Sequence, residues 1–143
     1  MTSVTAPRVF LDTNIWFSAF WGSENCRKIL LAHRDDKIKT IISHQVIEEC
    51  ARNFRSKLPQ ELSNFTNMLK SSPPLMVKDP ELIEEKVINL IQKKDQPIFC
   101  SAMMAKVKYF VTGNIKDFSV NKLEVLTGIK IVTTSQLVKG LKL

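Results

Sequence analysis

The sequence predicts an α/β domain built on a mostly parallel sheet. Short strand-like runs, Arg8 to Leu11, Ile38 to Ile42, Tyr109 to Thr112 and Lys130 to Thr133, alternate with stretches of helical apolar period. That alternation is the signature of strand–helix–strand crossovers. The first run also ends abruptly in Asp12-Thr13-Asn14, and the third in Gly113-Asn114 with Asp117 close behind. In an open parallel sheet, strand C-termini and helix N-termini converge on the ligand crevice, so these polar ends are the first place to look for chemistry.

Length and composition narrow the class. The 143 residues fit one domain over 1–143, with a tail at 1–7, and are enough to bury roughly two thirds of the unfolded surface. With only 4 Gly and 6 Pro and 44% hydrophobic residues, neither a disordered nor a fibrous chain fits. A formal net charge of +7 favours a polyanionic partner such as RNA or DNA. Cys26, Cys50 and Cys100 are too widely spaced for a metal knuckle and read as buried, reduced thiols. No signal-like leader and no apolar run near the ~20 residues of a membrane span are present, so a cytoplasmic protein with no membrane partner is expected.

Taken in order, a helix from Asn14 to about Trp21 breaks at Gly22, and Ser23 caps a second, Glu24 to His33. Arg34-Asp35-Asp36-Lys37 is a charged turn. After the second strand, Ser43 caps a helix in which Val46, Ile47, Cys50, Ala51 and Phe54 form one stripe. Glu48 and Glu49 flank that stripe on opposite sides, and periodicity does not choose between them. Residues 56–78 are the least organised. A helix started by Pro59 carries Leu62, Phe65 and Leu69 on one face, proposed as a partner or dimer surface, and ends before Pro73-Pro74. Asp79, Pro80 and Glu81 then predict a helix running to about Lys93. Asp95 leads a nearly all-apolar helix, Ile98 to Ala105. Asn114 reads as a left-handed turn residue, and Ser135 as the cap of a terminal helix ending near Leu141.

Singly, each acid has an ordinary explanation as a cap, a turn or a solvated charge. Together, Asp12, Glu48 or Glu49, Asp95 and Asp117 occupy positions that can face one sheet edge. Carboxylates so gathered repel and raise one another's pKa unless a cation lies among them. Mg2+ or Mn2+ suits oxygen ligands, and a hard cation in a basic protein points to phosphodiester chemistry. Arg27, Arg52, Arg55, Lys93, Lys94 and Lys116 are the basic residues placed to guide RNA.

Four blocks carry a resemblance. Val9-Phe10-Leu11-Asp12-Thr13-Asn14, Ser43 to Cys50, Asp95-Gln96-Pro97-Ile98 and Val111-Thr112-Gly113-Asn114 look like the acidic blocks of PIN domains, in the family's order. They are most similar to the VapC-like branch of toxin components from toxin–antitoxin pairs. The resemblance implies a three-layer α/β/α sandwich and a Mg2+- or Mn2+-dependent endoribonuclease. It implies metal ligands at Asp12, Glu49 and Asp95, which breaks the tie between the glutamates, with Thr13, Asn14, Thr112 and Asn114 in support. Where many PIN domains carry Asp, this chain has Asn114, and Asp117 is the acid that supplies the missing charge. A cognate antitoxin and a homodimer are implied as partners. The rivals are a haloacid-dehalogenase-like phosphatase, disfavoured because Asn14 cannot act as the general acid, a receiver-like domain, and a catalytically silent RNA- or protein-binding module on the same scaffold.

Overall fold

In a computed structural model, which describes residues 5–143, five strands form one all-parallel sheet in the order β3-β2-β1-β4-β5. β1 (Arg8–Leu11) is central, between β2 (Lys39–Ser43) and β4 (Tyr109–Val111). β3 (Leu75–Val77) and β5 (Lys130–Val132) form the edges. Of the expected tail at 1–7, residues 1–4 lie outside the described residues.

Parallel neighbours need crossovers, and these are nearly always right-handed. The chain steps outward from β1 to β2 and β3, then jumps back past β1 to β4 and β5, which sends the helices before and after the jump to opposite faces. α1 (Thr13–Trp21), α2 (Glu24–Arg34), α3 (His44–Lys57) and α4 (Leu62–Ser71) pack together in one layer. α5 (Gln96–Met104) and α6 (Val120–Thr127) form the other, and α7 (Thr134–Leu141) returns to pack on α2. The result is the three-layer α/β/α sandwich. Among the described residues, no helix is long and apolar enough to cross a membrane.

Two aromatic clusters fill the layers. On one side, Phe10 and Phe110, level in the β1–β4 register, stack at 5.4 Å, and Phe99 of α5 meets Phe110 at 5.2 Å. On the other, Phe54 and Phe65 stack at 5.0 Å and Trp16 stands edge-on to Phe65 at 6.2 Å. The Trp16 indole N–H donates to the Leu11 carbonyl at 3.2 Å, so burying it leaves no donor unpaired. His33 is buried as well, and its Nε2 donates to the Ser72 carbonyl at 2.6 Å, tying α2 to the end of α4. The three cysteines are buried and free.

Several expectations need correction. The Leu62/Phe65/Leu69 face is not a partner surface: Phe65 is 2% exposed, and Leu62 and Leu69 pack on the same core. The stripe of α3 leaves Phe54 open, and α4 folds back to cover it. The helix expected over 79–93 is replaced by a bend and a 3-10 stretch, Glu85–Leu90. Asp79 does not cap its own segment, because its Oδ1 accepts from the Gln45 N–H in the first turn of α3, at 2.9 Å. Farther on, Gln96 Nε2 donates to the Ile88 and Ile91 carbonyls, and the Gln92 N–H goes to the Asp117 carbonyl. Those bonds replace the helical ladder. Thr133, in a capping box with Gln136, starts α7 in place of Ser135. α6 is not evident from the sequence pattern; of its residues only Leu123 is buried, so its apolar stripe is thin.

The edge strand β3 is three residues long, and its Leu75 and Met76 are exposed.

Truncating Phe65 to Ala is expected to cost about 3–5 kcal/mol, as for a large aromatic removed from a closed core. Urea unfolding measures it. A loss near the roughly 0.5 kcal/mol of a surface change would show that the α4 face is not packed as described.

Candidate active site

The site forms where the sheet reverses direction. The chain leaves β1 toward β2 and leaves β4 toward β5, so the loops after β1 and β4 diverge and open a crevice between them. Asp12 and Thr112 follow these two strands directly. Thr112 Oγ1 donates to Asp12 Oδ2 at 3.1 Å and itself accepts from the Asn114 N–H at 3.1 Å, which aims the hydroxyl proton at Asp12. Asp12 Oδ1 caps α1 through the Thr13 N–H at 2.8 Å. Both readings of Asp12, cap and site acid, are therefore met by one side chain using two oxygens. Burial raises its pKa. The bonds from Thr13 and Thr112 pull it back, while the Glu49 charge raises it further.

Ser43 caps α3 as anticipated, accepting from the Val46 N–H at 3.3 Å, and so sets the helix phase. That phase leaves Glu48 exposed and turns Glu49 inward, half-buried, where its Oε2 accepts from Thr13 Oγ1 at 3.2 Å. Behind it, Cys50 donates its thiol to the Thr13 carbonyl at 3.7 Å, and burial pushes its pKa up, so it stays an inert thiol.

Asp95 closes a 3-10 turn, Lys93–Asp95, and stands at the cap position of α5 yet accepts no capping bond. Its Oδ2 is buried without a hydrogen-bond partner. Burial first, then the Asp12 charge, push its pKa to about 6; Lys94 pulls it down, while the Asp117 charge and a proton shared with the Asp117 carboxyl raise it further. An unpaired buried carboxylate oxygen is costly, and its retention calls for a ligand.

These acids line one polar cleft of about 300 Å³, together with Asn14, Arg52, Lys94 and Asn114. Sequence reasoning missed two of its residues, Asn53 and Ile98. Asn53 lies four residues after Glu49, on the same helix face, and that spacing could have found it. Asp117 is not in the cleft; it lines a neighbouring groove and pairs with Lys94 at 3.5 Å. Asn114 has φ −117°, so it is not a left-handed turn residue. Of the basic candidates, Arg52 and Lys94 reach the cleft, and Lys93 and Lys116 reach the neighbouring groove. Arg55 is exposed on α3, and Arg27 lies against a separate apolar pocket with Phe20, Leu30 and Met68, a position that corrects its assignment to the site.

Among the described residues, no three His, Cys, Asp or Glu side chains are arranged to grip one ion directly. A three-carboxylate cage is absent. The donor set does fit a hard cation that takes one or two carboxylates and keeps most of its waters, as Mg2+ does. The orphaned Asp95 oxygen is the observation behind that fit.

Fold and cleft define a doubly wound α/β/α domain with its acids at the switch point, where open parallel sheets bind ligands. A family model described as PIN domain matches residues 8–116, and the chain belongs to that family. Among solved structures, it is similar to a chain in the crystal structure of VapBC2 from Rickettsia felis bound to a DNA fragment from their promoter. The TM-score is 0.61 at 16% identity, covering 88% of this chain and 98% of that one, a likeness of fold. The comparison with curated proteins finds no match.

Because the folded pKa of Asp95 lies near 6, above its ordinary 3.8, the fold holds an extra proton between about pH 4 and 6, and stability falls as pH rises through that window. With chelator present, Asp95→Asn should flatten this part of the profile. Above pH 6 it should stabilise the fold by roughly 1–3 kcal/mol, because the amide has no charge to bury beside Asp12. Urea unfolding across pH checks it; an unchanged profile would place the Asp95 oxygen in water.

Proposed function

We propose that this chain is a Mg2+- or Mn2+-dependent endoribonuclease, the toxin component of a toxin–antitoxin pair. The observation that carries the reading is the unpartnered Asp95 oxygen, buried beside Asp12 in the cleft of a basic PIN domain. Asp12 and Asp95 would hold the ion, and Glu49 would hold it through water. When bound, such an ion polarises the scissile phosphate and eases ionisation of the attacking water. Thr13 fixes one oxygen of Glu49 and leaves the other free to take a proton from that water. Thr112 keeps Asp12 facing the cleft, and Asn14 and Asn114 offer amides to the phosphate and its waters. Arg52 and Lys94 supply positive charge for the phosphate oxygens. Asp117 acts through Lys94, holding the ammonium at the rim. The VapC-like resemblance and the likeness to a chain of VapBC2 support an antitoxin partner, and the resemblance extends the reading to a homodimer and a cytoplasmic setting.

Asn114 and the absent three-carboxylate cage favour a second reading, an RNA-binding module without activity. A pool of single-stranded and structured RNA, with Mn2+, Mg2+ or EDTA, separates the two. Cutting should require metal, fall at least about 100-fold in Asp12→Asn, and fall about 10–100-fold in Thr112→Val, which removes the bond that orients Asp12 and the acceptor of the Asn114 N–H. RNA bound but never cut by metal-loaded wild type would favour the silent module.

Mn2+ should also raise the unfolding temperature of wild type at pH 7.5, with the shift shrinking below pH 6 as protons compete for Asp95. A shift of equal size in Asp95→Asn would place the ion elsewhere.

A further inference from the structure

Beside the acid cleft lies a second polar groove of about 360 Å³, within the roughly 300–1,000 Å³ of sites that hold small ligands. Its walls are the chain on either side of the Ile91–Phe118 bridge. The Gln92 N–H donates to the Asp117 carbonyl at 3.0 Å and the Ser119 N–H to the Leu90 carbonyl at 2.8 Å, so the walls are clasped together. Gln96 pins one of them by donating to the Ile88 and Ile91 carbonyls. The groove is thus held open by the chain's own hydrogen bonds.

Cleft and groove share a partition. Lys94 and Asp95 face the cleft while their neighbours Lys93 and Gln96 face the groove, and the Lys94–Asp117 pair bridges the two cavities. Lys93 and Lys116 stand on opposite walls of the groove, both exposed, and among the described residues neither belongs to an ion pair. Two unspent positive charges lining one polar groove suit a phosphate, and the Asn89 and Gln92 amides suit a base edge.

We infer that this groove seats the nucleotide next to the scissile phosphodiester, with Lys93 and Lys116 on its phosphate and the strand crossing the Lys94–Asp117 partition. The inference rests on the nuclease reading of the cleft and names the residues that hold the neighbouring nucleotide. A groove of this volume takes one nucleotide and not the breadth of a duplex. An acidic peptide is the poorer occupant, because its carboxylates would run on into Asp12 and Asp95, which have no use for them.

The test is binding of a short fluorescein-labelled single-stranded RNA to the whole chain, over a salt series, with Ca2+ in place of Mg2+ or Mn2+. Lys93→Gln and Lys116→Gln should each weaken binding and flatten the plot of log affinity against log salt in part, and the double variant, which leaves that phosphate without a lysine, should flatten it by about 0.7. Lys139→Gln, at the far end of α7, should leave both affinity and slope unchanged. Lysine-dependent binding without metal-dependent cutting would remove the nuclease and keep the groove. Cutting by wild type with binding indifferent to Lys93 and Lys116 would remove the groove alone. The groove also falls if Lys139→Gln flattens the slope as much, if duplex RNA binds as tightly through the same lysines, or if polyglutamate displaces the RNA as well as unlabelled RNA does.

Discussion

The register of β1 against β4 is the constraint on which the rest depends. Leu11 lies level with Val111, the Asp12 N–H continues the ladder to the Val111 carbonyl at 3.0 Å, and the two side chains that follow are thereby brought together. A slip of one residue would separate Thr112 from Asp12. It would also turn Phe10 away from Phe110, because side chains alternate between the two faces of a sheet. The aromatic stack that locks the register and the hydrogen bond that orients the site are consequences of one alignment, so packing and chemistry cannot be altered independently there.

The cleft works against that packing. Asp12 and Asp95 are both buried, the Asp12 charge adds to the burial that raises the pKa of Asp95, and Asp95 has an oxygen with nothing to bond. Such a site persists because the flanking layers are rigid: Trp16 and Phe54 hold α1 and α3, which carry Thr13 and Glu49, and Phe99 holds α5, at whose start Asp95 stands. A functional constellation needs supports of this kind, since loosely held carboxylates would simply rotate toward water.

What was legible in the sequence follows from the range of the interactions involved. Asp12 could be read because strand, acid and helix are contiguous, and Ser23 and Ser43 could be read because a cap bonds within three residues. Glu49 could not be separated from Glu48 by period alone; its inward turn depends on the phase of α3 and on Thr13, 36 residues away. The segment after Asp79 reads as a helix start in isolation, yet the carboxylate is spent on Gln45, which no local pattern reveals. Thr133 prevailed over Ser135 because the capping box with Gln136 satisfies two groups at once. Asp117 sits at the expected edge but in the neighbouring cavity, since its pairing with Lys94 joins two turns distant in the chain.

The brevity of β3 bears on how the molecule behaves in crowds of its own kind. An edge strand offers unpaired backbone groups to any passing chain, and here Leu75 and Met76 add apolar surface to that invitation. Pro73-Pro74 immediately before it lack N–H donors, and Lys78 immediately after it is charged, so a foreign strand finds only three residues in register before its hydrogen bonds run out. The sheet therefore ends at five strands for a reason written into its border, and a protein made in quantity can stay dispersed while keeping that edge uncovered.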